Sequence, residues 1–133
     1  MICLDNDVFS RYASRQSYPA VSEYLTSHST EPWHLPSIVL FEYLKRYSAH
    51  NTIQNERQKV EQSIDAIIPV DAAVAEEAAN IRARLATAGT SLDVPDLLIA
   101  AAARSRGCTL VTRNANDFDR SPIHELMNVD IIY

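Results

Sequence analysis

An α/β fold on a mainly parallel five-stranded sheet, with helices on both faces, is what this sequence predicts. Three observations carry the prediction. Short apolar runs alternate with helix-type stretches along the whole chain, and strands that recur after helices need crossover connections, which build parallel sheets. The 133 residues give room for one hydrophobic core, and no repeat, low-complexity tract or Gly/Ser linker divides them, so residues 1–133 read as one domain. The only two glycines, Gly89 and Gly107, each fall just past a predicted helix, where a left-handed cap needs them.

The elements follow in order. Residues 2–4 form a short buried strand. The polar Asp5-Asn6-Asp7 then starts a helix reaching about Arg15, and a second helix covers 20–27. Residues 33–35 make the next strand, and Pro36-Ser37 opens a helix through about Ala49. Another helix runs from Thr52 to about Ala66, and 67–70 form a third strand. Asp71 is placed to cap a helix whose stripe, Val74, Ala78, Ile81, Leu85 and Ala88, has spacings of four and three. Glu76 and Glu77 lie early in that helix and Arg82 and Arg84 late, which suits its dipole. The next helix opens on Asp93-Val-Pro-Asp96, with Pro in the first turn, and runs to Gly107. Residues 109–112 form the fourth strand, and 130–133 a fifth at the edge.

Composition narrows the function. Hydrophobic residues make up 47% and charged residues 22% of the chain, which excludes intrinsic disorder. No apolar run approaches the roughly 20 residues that span a bilayer. Asp5 interrupts the amino terminus too early for a secretory leader, so the protein is expected to stay where it is made, in the cytoplasm. Cys3 and Cys108 read as small buried strand residues, and the four histidines show no paired zinc spacing. The net charge of -5 argues against a module that grips nucleic acid by bulk positive charge. It leaves room for an acidic pocket that recruits cations.

Parallel sheets bind ligands outside the carboxyl ends of their strands, and four acids are placed to meet there. Asp5 directly follows the first strand, although a helix-capping role explains it equally well. Glu42 is a lone acid within Ile38-Val-Leu-Phe-Glu-Tyr-Leu44. A buried carboxylate is costly unless paired or metal-bound, and an exposed pair with Arg46 is the plainer alternative. Asp96 lies in the first turn of a helix whose next seven residues are uncharged, which points it into a cleft. Asp117 follows the fourth strand in Arg113-Asn-Ala-Asn-Asp117, where turn-forming side chains are common for purely local reasons. Asp119 reads as surface. Jointly the four are more telling than singly. Carboxylates gathered at one edge repel one another, and a hard divalent cation, Mg2+ or Mn2+, stabilises such a cluster.

LDNDVFS at the start, LFEYLKR around Glu42, DLLIAAAA from Asp96 and LVTRNANDF from Leu110 together resemble the PIN domain, and within it the VapC toxins of toxin–antitoxin pairs. The resemblance spans essentially the whole chain. It implies a five-stranded parallel sheet and an Mg2+- or Mn2+-dependent endoribonuclease acting on transfer or ribosomal RNA. It also implies homodimers and inhibition by a small VapB-type antitoxin. Asp5, Glu42, Asp96 and Asp117 match the family's acids, with Asp5 and Asp96 as the principal metal ligands. Where the family usually has Thr or Ser after the first Asp, this chain has Asn6, followed by Asp7. Asn6, Asp7, Asp93, Thr112 and Asn114 are candidates to support the acids from behind. Arg11, Arg15, Lys45, Arg46, Arg113 and Arg120 are candidates for phosphate contact, against a reading of each as solvated surface. Trp33 and the six tyrosines are candidates for base stacking, against core packing.

Two rivals remain. A noncatalytic PIN-like module binding RNA or protein would not need four gathered acids. A haloacid-dehalogenase-like phosphatase fits Asp5-Asn-Asp7 after an apolar strand, with Ser37 in reserve, but no lysine follows Lys59.

Overall fold

The computed structural model describes residues 1–133. Its sheet has five strands, all parallel, in the order β3-β2-β1-β4-β5. The strands are β1 (Ile2–Leu4), β2 (Trp33–Pro36), β3 (Ala66–Ile68), β4 (Thr109–Thr112) and β5 (Val129–Ile131). Between them run α1 (Asn6–Tyr12), α2 (Pro19–Ser27), α3 (Ser37–Leu44), α4 (His50–Ser63), α5 (Ala72–Thr87), α6 (Val94–Ser105), α7 (Ala115–Phe118) and α8 (Ser121–Leu126). The chain winds outward from β1 to β3, then crosses back to β4 on the other side. Right-handed crossovers therefore place α1–α4 over one face and α5–α8 over the other. The packing agrees: α1 touches α2 and α3, α3 touches α4, and α5 touches α6 and α8.

Twenty-nine buried apolar residues form one continuous cluster, so the layers share a single core. Ala100 to Ala103 of α6 are fully buried, and their small side chains let that helix sit close to its neighbours. On α5 the stripe Val74, Ala78, Ile81 and Leu85 is buried. Ala88 is exposed, because the helix has already ended at Thr87. Both long helices of that face end alike. Gly89 (φ 75°) and Gly107 (φ 66°) take the left-handed turn. The next amides then reach back, Thr90 N to Leu85 O at 2.9 Å and Cys108 N to Ala103 O at 3.0 Å. Cys108 is thus a buried cap residue one position before β4, not a strand residue, while Cys3 lies within β1; both are free thiols.

Several boundaries differ from the sequence expectation for local reasons. α1 stops at Tyr12 rather than Arg15, where the Ser14 hydroxyl accepts the Gln16 amide in a turn. α3 stops at Leu44 rather than Ala49. Arg46 there turns back to donate to Tyr43 O at 2.9 Å, satisfying a carbonyl freed at the helix end. α4 spans His50–Ser63, not 52–66, because Ile64 is already extended and Asp65 pairs with Trp33 through main chain and side chain. β3 accordingly lies earlier than 67–70, and β5 one residue earlier than 130 at its start and shorter at its end. α2 begins at Pro19, which serves as a first-turn proline. α7 and α8 replace what reads as an irregular segment. No helix is long and apolar enough to cross a membrane.

Candidate active site

The strand order reverses between β1, whose connection leads to β2, and β4, whose connection leads to β5. The crevice at such a reversal is where parallel sheets take their ligands. Register dictates what meets there. Leu4 pairs with Val111, so the next residues along, Asp5 and Thr112, emerge side by side. Thr112 Oγ1 donates to Asp5 Oδ2 at 2.7 Å, and the same oxygen accepts the Asn114 amide at 3.0 Å. Asp5 Oδ1 accepts the Asn6 amide at 2.7 Å, and the Asp5 carbonyl receives the first bonds of α1. Asp5 is therefore a capping residue and a crevice residue at once. Outside the apolar core, it and Thr112 are the residues the fold buries.

Beside them Asp7 accepts the Arg113 amide at 3.1 Å. From the other flank Arg11 donates to the Asp7 carbonyl at 2.6 Å. Asp96 reaches the crevice from the first turn of α6. Asp93 starts that helix with its main chain, while its side chain makes no capping bond and faces solvent. Glu42 arrives from the second turn of α3, where α3 touches α6. Its Oε1 is buried without a hydrogen-bond partner, as is Asn6 Oδ1. Arg46 does not pair with Glu42. Its guanidinium lies 4.4 Å from the Tyr43 ring centroid, which removes the plain surface-pair explanation of that acid.

Asp117 stands differently. Its carboxylate accepts Asn114 Nδ2 at 2.8 Å and Arg120 at 3.1 Å, and its amide returns a bond to Asn114 Oδ1. Arg120 also holds Thr90 Oγ1 at 2.7 Å and Ser91 O at 3.1 Å. Arg120 is thus a clamp between α7 and the α5–α6 loop, a role that sequence alone does not reveal, and it is not free for phosphate. Asp119 is exposed and bonded to His124 and Tyr133.

The electrostatics tie these acids into one group. Burial, then the charges of Asp7 and Asp96, push Asp5 up to about 7, against the bonds from Thr112 and Asn6. Burial, then the charges of Asp117, Asp93 and Glu42, push Asp96 up to about 6. Asp7 is raised by burial, opposed by the Arg113 amide and the Arg11 charge. Asp96 is thus the acid that links the group: Asp5, Glu42, Asp93 and Asp117 all lie within electrostatic reach of it, and Asp7 is the charge that acts most strongly on Asp5. Lys45 is exposed and borders a separate apolar hollow with Phe41 and Leu44. Arg15 and Arg46 line another hollow with Arg11.

The donors are all oxygen, one of them without a partner and two on carboxyls raised by burial and by neighbouring negative charge. That set fits a hard divalent cation and does not fit zinc. No three acidic, histidine or cysteine side chains close on a single point.

The PIN domain family profile matches residues 2–122. No curated protein matches the chain. Among solved structures, FitAcB from Neisseria gonorrhoeae is 28% identical with a TM-score of 0.75, over 97% of this chain and 96% of that one. VapBC-5 from Mycobacterium tuberculosis, of the VapBC family of toxin–antitoxin systems, is 27% identical with a TM-score of 0.60, over 98% and 95%. The Sarcin-Ricin loop cleaving toxin VapC20 of the same organism shares the fold at 15% identity and a TM-score of 0.58, over 82% and 85%.

Proposed function

For a chain that belongs to the PIN-domain family, we propose a divalent-metal-dependent endoribonuclease, the toxin of a VapBC-type pair. On this reading it cleaves transfer or ribosomal RNA in the cytoplasm, forms a homodimer and is held in check by a VapB-type antitoxin. The observation that supports the proposal is that Asp96 shares the electrostatic field of Asp5, Glu42 and Asp117, acids from distant segments, with the Asp5 and Asp96 carboxyls raised to about 7 and about 6 beside the sheet's reversal point. A scaffold gains nothing from such mutual repulsion. The toxin–antitoxin relatives lend further support.

Asp5 and Asp96 would hold Mg2+ or Mn2+, with Glu42 and Asp117 placed to act through its waters. The bound ion supplies an activated water and neutralises charge growing on the phosphodiester. The chain's own residues do the rest. Thr112 and the Asn6 amide fix the Asp5 oxygens, so the carboxylate meets its ligand without reorganising. Asn114 and Arg120 fix Asp117 in the same way. Glu42 Oε1, having no partner in the protein, is the acid freest to accept a proton from water.

Ser37, which a phosphatase of haloacid-dehalogenase type would need, instead accepts the Val70 amide at 3.1 Å. The test is cleavage of total tRNA and rRNA in Mn2+, with chelator and with Asp96→Asn, alongside melting curves. Cutting should need metal and Asp96, and Mn2+ should raise the melting temperature of the wild type far more than that of Asp96→Asn. Mn2+-dependent stabilisation without any cutting would favour the noncatalytic binding module. Cutting unchanged in Asp96→Asn would reject the site.

A further inference from the structure

One helical turn along α1 from Asp7, the charge reverses. A hollow of about 470 Å³ is bordered by Arg11, Arg15, Tyr18, Tyr43, Arg46 and Tyr47, with small residues between them and no acid. Three of the chain's 12 basic residues stand there, in a molecule of net charge -5. None of the three is paired with a carboxylate; the arginines that form ion pairs are Arg57, Arg104 and Arg120. Two of the guanidiniums lie instead on aromatic rings and main-chain carbonyls. Arg11 sits 5.4 Å from the Tyr18 ring centroid and Arg46 sits 4.4 Å from that of Tyr43, while Arg15 is exposed in the loop after α1. An adjoining hollow of about 360 Å³ shares Arg15, Tyr43 and Tyr47 and continues the trough past Tyr12 and Lys59. The one acid lining that extension, Glu56, is paired with Lys59 at 3.2 Å.

We propose that this trough binds the unpaired RNA strand beside the cut, with Arg15 and Arg46 on backbone phosphates and the half-buried Tyr18 and Tyr47 against base faces. The inference rests on the ribonuclease reading and deepens it. An acidic crevice repels the polyanion it must cut, so affinity has to come from a local positive surface nearby. Guanidiniums interleaved with rings offer both terms that hold single strands, phosphate neutralisation and stacking. The trough also begins on the same helix that carries Asp7, so a strand presenting a phosphate to the acids continues into it. An acidic peptide would use the charges but would leave the rings without a partner, and RNA is therefore the occupant the lining favours. Tyr43, at 7% exposure, serves as the floor and does not stack.

The test uses the full chain carrying Asp96→Asn, so that RNA is not consumed, and a fluorescein-labelled oligouridylate read by anisotropy across a salt titration. Adding Arg15→Gln and Arg46→Gln should weaken binding about tenfold or more and flatten the log–log salt slope by about 1.4, or roughly 0.7 for each phosphate no longer neutralised. The lysine pair, Arg15→Lys with Arg46→Lys, should keep the slope. Tyr47→Leu should weaken binding and leave the slope unchanged, which a merely structural role would not produce. In the otherwise wild-type enzyme the glutamine pair should raise KM for a single-stranded substrate and spare kcat. Equal affinity and slope in the glutamine pair would overturn the proposal. So would arginine-dependent capture of a labelled oligoglutamate by a protein that ignores the RNA. If the wild type cuts RNA and the glutamine pair cuts with unchanged KM, the trough fails while the ribonuclease reading stands. If RNA binds through the arginines but is never cut, the reverse holds.

Discussion

Two clusters of like charge flank helix α1, and they treat charge in opposite ways. Around Asp5 and Asp96 the carboxylates lie within reach of one another's charge, Asp5 buried and Asp96 half-buried, and both are left short of positive partners. Around Arg11, Arg15 and Arg46 the guanidiniums are gathered, solvated and left short of negative ones. Ion pairs such as Arg57–Glu61 and Arg104–Glu77 hold some of the remaining charges, while Arg82, Arg84 and Arg106 are unpaired as well, so the gathering of like charge, not the lack of a partner alone, sets these two places apart. Gathered charge of one sign is unfavourable for a folded chain, and on the proposed readings a divalent cation completes the first cluster and an RNA strand the second. In the acidic one Asp5 is buried, where the dielectric is low and the imbalance registers strongly in pKa. The basic one is open to solvent, where water screens it and the imbalance registers only as missing partners.

The widest separation between the two is expected in catalysis. Asp5→Asn should lower single-turnover cleavage in saturating Mn2+ by about three orders of magnitude, the scale of losing a metal's charge stabilisation. Asp117→Asn should cost only about ten- to a hundredfold, because Asn114 and Arg120 already share its carboxylate. Equal losses at both positions would erase the distinction drawn between an acid with no cationic partner and one paired with an arginine.

Stability against pH comes next. Asp5 and Asp96 hold their protons more tightly in the folded chain than in the unfolded one, so between about pH 4 and pH 7 the folded state binds the extra protons. Metal-free protein should therefore lose stability as pH rises through that window, by about 4 kcal/mol at most from Asp5. Mn2+ should restore the loss at neutral pH, and Asp5→Asn should flatten the profile. Melting temperatures of metal-free protein that stay level across this range would show that the acids are not under repulsive strain.

Smaller again is Thr112→Val, which removes the hydroxyl that both donates to Asp5 and accepts the Asn114 amide. A destabilisation of about 1–3 kcal/mol follows from the buried groups left unsatisfied, and urea titration measures it. Smallest is Arg120→Gln. Its pair with Asp117 is about one-third exposed, 32% and 33%, and an exposed pair contributes under about 1 kcal/mol. Its Mn2+ affinity should rise slightly as Asp117 is released, and a fall would show that the clamp positions rather than competes.

What the amino-acid sequence determined by itself is the part written in short range. Hydrophobic runs and periodicity placed every strand and the cores of the long helices, and the two glycines marked both left-handed caps, because these features depend on residues a few positions apart. Alternation then required a parallel sheet, and the order of acids after strands and at helix starts fixed which edge they occupy. Tertiary structure alone decided the rest. It tied Arg120 to Asp117 and a loop 30 residues away, and left Glu42 Oε1 without a partner. It also gathered arginines from α1, the loop after it and the end of α3 around the same tyrosines. The contact of Arg120 with Thr90, and the meeting of Arg11 and Arg15 with Tyr43 and Arg46, join segments far apart along the chain, and local spacing carries no record of them.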